Sequence, residues 1–313
     1  MQHELITATS RQMHKTRFII KHMGAKMGTS KQNVNCPKMR KIAERGQMLM
    51  KVLREATVDQ LVIGGVQVEL VTPKKAAGDD IVIYIHGGGF TVGNARCSRA
   101  FASYLAVESG LRVYTLTYRL APENPFPAGF DDCFEMYKGV CEKYPQSAVY
   151  LVGESAGGNL SIVVALRCIN ENIKPPIAIC AYSPVTTLSE EFESHIKNIK
   201  TDIQVGKGMR DEVIRLYAKG NDLANPYISP LQADSLNGFP PTMLVTDIDE
   251  VLRDDSIMFA ERLKQEKVPY ELYLFKNTFH AFPITGIKAP ESYDVLKKTI
   301  DFFGQYNSSK QTN

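Results

Sequence analysis

Short runs of apolar, often β-branched residues recur along the chain and predict the strands of a buried sheet. Residues 81–85 read Ile-Val-Ile-Tyr-Ile, and four later segments of similar length follow the same pattern: 111–117, 148–152, 177–181 and 241–246. Apolar runs of this kind are typical of parallel strands that are covered on both faces. Residues 66–72 predict an earlier, antiparallel-type strand, and residues 270–275 alternate apolar with polar side chains as a last strand.

Helical patterns separate these strands. Residues 158–166 form an almost wholly apolar stretch, and apolar side chains recur at helical spacing from Phe130 to Cys141. Strands that alternate with helices indicate an α/β fold with a mostly parallel central sheet. Residues 1–54 predict two amphipathic helices with breaks near 28–30 and 35–37. The strand–helix rhythm also stops between residues 187 and 230, where one helix is predicted over 209–219.

A nucleophile motif follows the strand at 148–152. Gly153-Glu154-Ser155-Ala156-Gly157 matches the G-x-S-x-G elbow, in which a strand turns sharply into a helix and exposes the serine oxygen. Glycine is needed on either side because the flanking backbone passes too close for side chains. Ser155 is therefore the predicted nucleophile.

A second motif, His86-Gly87-Gly88-Gly89, follows the strand at 81–85. Glycines in this position let backbone N–H groups point at a developing oxyanion. We expect the N–H groups of Gly87, Gly88 and Gly89 to form the oxyanion hole together with that of Ala156. Each motif is weak alone, but their order and their placement after strands make the pair specific.

The general base is expected to follow the serine, because the fold in which this elbow motif occurs has its triad in the order Ser, Asp or Glu, His. Only His195 and His280 follow Ser155. His280 comes directly after the last predicted strand, where the base belongs. His195 stands in an acidic, polar stretch that predicts a solvated loop or helix start, so His280 is the predicted base.

Several carboxylates could orient that histidine. Asp247, Asp249 and Glu250 follow the strand at 241–246, and position alone favours 249 or 250. Asp254 and Asp255 are expected on the next helix.

Beyond about residue 60 the chain resembles the bacterial hormone-sensitive-lipase-like carboxylesterases, a branch of the α/β-hydrolases. The resemblance rests on the two motifs above and on three further runs: 118–128 (YRLAPENPFPA), 225–231 (NPYISPL) and 250–255 (EVLRDD). In the family a carboxylate opens a motif resembling D-P-L-R-D-E, so the resemblance implies Glu250 as the acid, with Asp249 and Asp247 as alternatives. It also implies a helical cap, formed here by residues 1–55 and an insertion at about 187–228, over a catalytic domain spanning 56–313.

Composition agrees with an ordinary globular enzyme. The 313 residues are 44% hydrophobic and 23% charged, which suits one large α/β domain. None of the six cysteines forms a C-x-x-C pair, so no metal site is expected, and the mechanism needs no cofactor. No signal peptide or membrane span is visible, which makes a cytoplasmic location the expectation.

Charge is unevenly distributed. Residues 1–54 hold twelve Lys or Arg against Glu4 and Glu44, a balance of +10, so a total of +3 leaves −7 for the rest. The simplest interpretation is a basic cap on an acidic body. Attraction to anionic substrates or lipid surfaces and an organellar presequence are alternatives, whereas no nucleic-acid-binding motif is present.

These patterns predict a serine carboxylesterase that hydrolyses short- to medium-chain esters through an acyl-enzyme. A non-catalytic ligand receptor on the same fold, or a lactonase or amide hydrolase with the same triad, are alternative functions. If the strand at 270–275 lies at the sheet edge, it would permit edge-to-edge homodimers.

Overall fold

The computed structural model describes residues 3–22, 35–47, 51–206, 208–285 and 288–306. The predicted helix break near residues 28–30 lies outside these ranges. Nine strands of the described chain form one sheet: β1 (His3–Thr7), β2 (Ala56–Ile63), β3 (Val66–Pro73), β4 (Ile81–Ile85), β5 (Arg112–Thr117), β6 (Val149–Glu154), β7 (Ala178–Tyr182), β8 (Thr242–Asp247) and β9 (Tyr270–Lys276).

The sheet has the order β1-β9-β8-β7-β6-β4-β5-β3-β2. Only the β2–β3 and β3–β5 pairs are antiparallel, as predicted for the early strand at 66–72. The remaining pairs are parallel, so the carboxyl ends of β4, β6, β8 and β9 meet at one edge of the sheet. Each of the predicted motifs follows one of these four strands, and the fold therefore brings them together.

Helices cover both faces of the sheet. They are α1 (Arg11–His22), α2 (Cys36–Gln47), α3 (Ala95–Ser109), α4 (Ala128–Lys143), α5 (Ala156–Asn170), α6 (Glu193–Lys197), α7 (Met209–Val213), α8 (Arg253–Gln265), α9 (Phe282–Thr285) and α10 (Pro290–Tyr306). Helices α4, α5 and α8 pack on one face, and α1, α3 and α10 pack on the other. Strand β4 contributes alternate residues to the two cores, with Ile83 on one side and Tyr84 on the other. This double burial explains why its sequence is apolar throughout.

The amino-terminal segment corrects two predictions. Residues 3–7 are not helical: they form β1, which pairs in parallel with β9. A five-residue strand at a sheet edge is fixed by long-range pairing, which the helical periodicity of the following residues does not reveal. Because β1 covers β9, the predicted edge-to-edge pairing through residues 270–275 is wrong, and the outer strands of the described sheet are β1 and β2.

The insertion after β7 contains α6, α7 and little other regular structure. The predicted helix at 209–219 is present, but it changes from α-helix to a π-helical turn over residues 214–218. Within the described ranges, no helix has the length and apolar character needed to cross a membrane.

Candidate active site

Ser155 occupies a strained turn between β6 and α5. Its backbone has φ 55° and ψ −121°, a region that non-glycine residues seldom adopt. The turn is held by the Ser155 N–H, which donates to the Tyr182 carbonyl at 2.8 Å. A Cβ on Gly157 would lie 2.0 Å from the Ile85 carbonyl oxygen, and one on Gly153 would lie 2.3 Å from the Gly157 oxygen. Close packing thus requires both glycines of the elbow motif.

The triple-glycine loop packs directly against this elbow. Gly88 and Gly89 have φ values of 104° and 59°, and a Cβ on Gly88 would lie 2.2 Å from the Val92 carbonyl oxygen. A Cβ on Gly87 would come within 2.6 Å of the Glu154 carbonyl oxygen. The loop therefore brings its backbone close to Ser155 in a way that only glycine permits.

Gly87 has a different role from the one predicted. Its N–H donates to Glu154 Oε1 at 2.7 Å, so it is already engaged and is not free to bind an oxyanion. The other carboxylate oxygen, Oε2, accepts a hydrogen bond from the Tyr84 hydroxyl at 2.5 Å. Burial raises the pKa of Glu154 to about 7, even though both hydrogen bonds favour the ionised form. Glu154 therefore ties the glycine loop to the elbow, which leaves Gly88, Gly89 and Ala156 as candidate oxyanion donors.

His280 and Glu250 form a buried pair. His280 Nδ1 lies 2.7 Å from Glu250 Oε2. The other oxygen, Glu250 Oε1, accepts hydrogen bonds from the Thr246 hydroxyl and, at 3.1 Å, from the Asp247 N–H. Both carboxylate oxygens of Glu250 are thus engaged, and one of them orients the imidazole.

The two alternative acids do not contact the imidazole. Asp247 Oδ2 accepts hydrogen bonds from the N–H and hydroxyl of Thr278 at 2.7 and 2.5 Å. Its Oδ1 accepts the Asp249 N–H at 2.8 Å. Asp247 therefore fixes the loop that carries His280. The partly exposed Asp249 lies on the turn between Asp247 and Glu250.

The surroundings of His280 favour its protonated form. Burial alone lowers the pKa of His280, but the hydrogen bond and charge of Glu250, with the charges of Asp202 and Glu154, outweigh it. The net effect raises the pKa above its ordinary value. An imidazole in such surroundings accepts a proton readily.

Ser155 and His280 line one cavity of about 360 Å³, together with the glycine loop. Its walls are mainly apolar, and two segments far apart in the chain contribute to them. Met39, Ile42 and Ala43 belong to α2, whereas the insertion contributes Leu188, Val205, Met209 and Val213. The cavity can accept an apolar chain beside the serine.

The other two histidines near the cavity have structural contacts. His86 stacks on Tyr118 with ring centroids 4.2 Å apart, and its Nδ1 lies 2.8 Å from the Gly87 carbonyl oxygen. Burial lowers the pKa of His86 to about 4, so the ring is neutral near pH 7. His195 is not solvated as predicted: it is buried, and its Nε2 lies 2.6 Å from Asp255 Oδ2. The acidic sequence around His195 concealed this long-range partner.

Nothing in the described part of the chain groups three or more His, Cys, Asp or Glu side chains in a way that could hold a metal ion. The side chains gathered at the cavity are a serine, a histidine and the carboxylate bound to that histidine, with the glycine loop beside them.

Known proteins are similar to this chain in sequence and in fold. Residues 82–284 match the family model of the alpha/beta hydrolase fold. An acetyl-hydrolase of Streptomyces hygroscopicus is 30% identical over 226 residues, which cover 72% of this chain and 75% of that protein. An esterase of Acinetobacter venetianus is 28% identical over 230 residues, covering 73% and 76%.

Among solved structures, an esterase from the bacterial hormone-sensitive lipase family superposes with a TM-score of 0.87 at 27% identity. The match covers 96% of this chain and 99% of that one. A hormone-sensitive lipase from a metagenome library gives a TM-score of 0.86 at 28% identity, covering 94% and 98%. The chain belongs to the α/β-hydrolase fold family, and its similarity within that family is to the hormone-sensitive-lipase-like esterases.

Proposed function

We propose that this protein is a serine carboxylesterase in which Ser155 is the nucleophile, His280 the general base and Glu250 the acid that orients it. The observation that carries the proposal is the His280–Glu250 hydrogen bond of 2.7 Å beside the cavity that Ser155 also lines. The relatives named esterase and acetyl-hydrolase support ester hydrolysis over the receptor, lactonase and amide-hydrolase alternatives.

The geometry of the imidazole supports the following proton transfers. Glu250 engages Nδ1, which leaves Nε2 of His280 to accept the proton of the Ser155 hydroxyl. The Ser155 oxygen attacks the ester carbonyl, and N–H groups of Gly88, Gly89 and Ala156 stabilise the resulting oxyanion. His280 then donates its proton to the leaving alcohol. Water, activated by the same imidazole, hydrolyses the acyl-enzyme and restores Ser155.

The cavity walls support esters of short to medium acyl chains. The space is about 360 Å³ and mainly apolar, which suits an alkyl chain of several carbons. Helix α2 and the insertion at 187–228 act as the cap of this cavity, since both contribute apolar side chains to it. Helix α1 has a different place: it contacts α10, and its Met13 is buried in the core.

The test is a burst assay with p-nitrophenyl butyrate, run before and after treatment with a fluorophosphonate that labels reactive serines. We expect the wild-type protein to turn over the ester, to carry one label at Ser155 and to lose activity when labelled. Ser155→Ala should lose both turnover and labelling, while the surface control Ser235→Ala should retain both. Full activity in Ser155→Ala would rule out the proposed nucleophile.

A further inference from the structure

The insertion does more than line the cavity, because its side chains also hold the loop that carries the acid. We call residues 248–251 the acid loop. Asn198 Nδ2 donates to the Ile248 carbonyl at 3.0 Å and to the Glu250 carbonyl at 2.8 Å. The Thr201 hydroxyl donates to the Asp249 carbonyl at 2.8 Å. Three successive acceptors of the acid loop are thus bound by the insertion.

Asp202 adds a complementary contact: it accepts a hydrogen bond from the acid loop, whereas Asn198 and Thr201 donate to it. Its side chain is buried, and its Oδ2 accepts the Val251 N–H at 2.8 Å. Its Oδ1 accepts the N–H groups of Gln204 and Val205 at 2.8 and 2.9 Å. Burial raises the pKa of Asp202 above its ordinary value, while the His280 charge and the N–H donors oppose that shift. In its ionised form Asp202 places a negative charge beside the acid loop.

We propose that Asn198 and Asp202 are positioning residues for Glu250, and that the Asp202 carboxylate assists Glu250 in stabilising the protonated His280. This inference rests on the proposed ester hydrolysis and adds to it a role for the insertion in the chemistry. It differs from a cover over the substrate, because it acts through the backbone of the acid loop.

The length of the acid makes such positioning necessary. Glutamate has one more rotatable bond than aspartate, so a glutamate carboxylate depends more on how its backbone is held. The insertion binds Glu250 at its own carbonyl and fixes residue 251 through the N–H that follows. A displacement of about 1 Å in a reacting group can cost about 100-fold in rate.

Electrostatics give Asp202 a second effect. The charged groups that act on the imidazole are Glu250 on the acid loop, Asp202 on the insertion and Glu154 on the elbow. Glu154 has a pKa of about 7 and is only partly ionised near neutrality. Removal of the Asp202 charge should therefore lower the pKa of His280.

The decisive variant is Asp202→Asn. A carboxamide cannot accept at both of its ends, so either the Val251 N–H or the Gln204 and Val205 N–H groups would face an NH2 group. We expect kcat for p-nitrophenyl butyrate to fall about 10- to 100-fold while KM changes less than about threefold. The acid limb of kcat/KM should move to lower pH, because the free enzyme then needs less alkaline conditions to hold His280 neutral.

Asp222→Asn is the matched control. Asp222 lies in the same insertion and accepts the Ala224 N–H at 3.0 Å, but it makes its bond within its own turn. This variant should keep the wild-type kcat and pH profile. A second variant, Asn198→Ala, keeps the Asp202 charge and should lower kcat without moving the acid limb.

Fluorophosphonate titration of active serines separates the outcomes. A lower count of active sites in Asp202→Asn with an unmoved acid limb would show a merely structural role and overturn the inference. Wild-type kcat in both Asp202→Asn and Asn198→Ala would also overturn it. If Asp202→Asn does not fold, the kcat of Asn198→Ala decides the positioning role. A wild-type protein that neither hydrolyses esters nor labels would instead refute the proposed function.

Discussion

One hydrogen bond supports Glu250 over Asp249 as the proposed acid. Glu250 reaches His280 Nδ1 at 2.7 Å, whereas the Asp249 N–H is bound to Asp247. Glu250→Gln keeps the shape of the side chain but removes its charge and lets an amide face the imidazole. We expect kcat to fall about 100- to 10,000-fold, as when the acid of a serine triad is neutralised.

Steady-state kinetics with p-nitrophenyl butyrate measure this effect, and Asp249→Asn is the matched control. The control should stay within about threefold of the wild type, which corresponds to less than about 1 kcal/mol in transition-state free energy. If Asp249→Asn were the inactive variant, the acid would be misassigned by one residue.

Glu154 should make stability depend on pH. Burial raises the pKa of Glu154 from 4.5 to about 7 in the folded protein. Because the folded state binds this proton more tightly than the unfolded state, the contribution is full below pH 4.5 and is lost as pH rises through about 7. Glu154→Gln can still accept the Gly87 N–H and donate to Tyr84, but it does not titrate.

The free energy of unfolding in urea, measured at pH 5 and pH 8.5, tests this point. Relative to the wild type, Glu154→Gln should gain up to about 3 kcal/mol between the two pH values. Glu142→Gln, at an exposed glutamate of α4, should keep the wild-type pH dependence. Parallel curves for Glu154→Gln and the wild type would contradict the assignment of this titration to Glu154.

The strand–turn–helix unit around Ser155 depends on close contact between backbones. Helix α5 starts so near to β4 that a Cβ on Gly157 would lie 2.0 Å from the Ile85 carbonyl oxygen. Gly157→Ala must therefore move α5 or β4, and we expect it to destabilise the protein by more than about 2 kcal/mol. Gly304 in α10 has no heavy atom within 4 Å of such a Cβ. Gly304→Ala should be neutral or stabilising by up to about 1 kcal/mol.

Thermal unfolding compares the two variants directly. The expected order of midpoints is Gly157→Ala far below the wild type and Gly304→Ala equal to it or above it. Equal midpoints for the two variants would mean that α5 can shift at little cost, and the close approach would then not explain the glycine.

Local sequence predicted the elements whose pattern reflects their own burial. Strands β4 and β8 are buried throughout, so their apolar runs marked them within one residue of the observed bounds. Contacts between distant residues left no such signal. The β1–β9 pairing, the His195–Asp255 pair and the bond from Gly87 to Glu154 each join residues at least 60 positions apart. Glu250 lay between these cases, because spacing left three candidates for the acid and contact with His280 supports Glu250 among them.

The molecule as a whole places α2, which comes early in the chain, beside the candidate active site. Arg40 makes this attachment: its Nε donates to the Thr91 carbonyl at 2.7 Å, and its Nη2 donates to the Ala121 carbonyl at 2.8 Å. The same guanidinium binds both oxygens of Glu123. Met39 and Ile42 on the same helix line the cavity. One side chain thus anchors α2, which lines the cavity, to the loops that follow β4 and β5.

Arg40→Met should therefore change substrate preference more than basic chemistry. Without the three anchors of Arg40, the wall formed by α2 loosens, and long acyl chains lose apolar contact while an acetyl group does not reach it. We expect kcat/KM for p-nitrophenyl octanoate to fall about tenfold, which corresponds to about two methylene groups left unburied at about 0.8 kcal/mol each. The value for the acetate should change less than about threefold.

Lys41→Met, at the exposed neighbouring position, is the matched control and should leave both rates unchanged. Equal losses on acetate and octanoate in Arg40→Met would show that α2 supports the glycine loop rather than the acyl chain, because Thr91 lies two residues after Gly89.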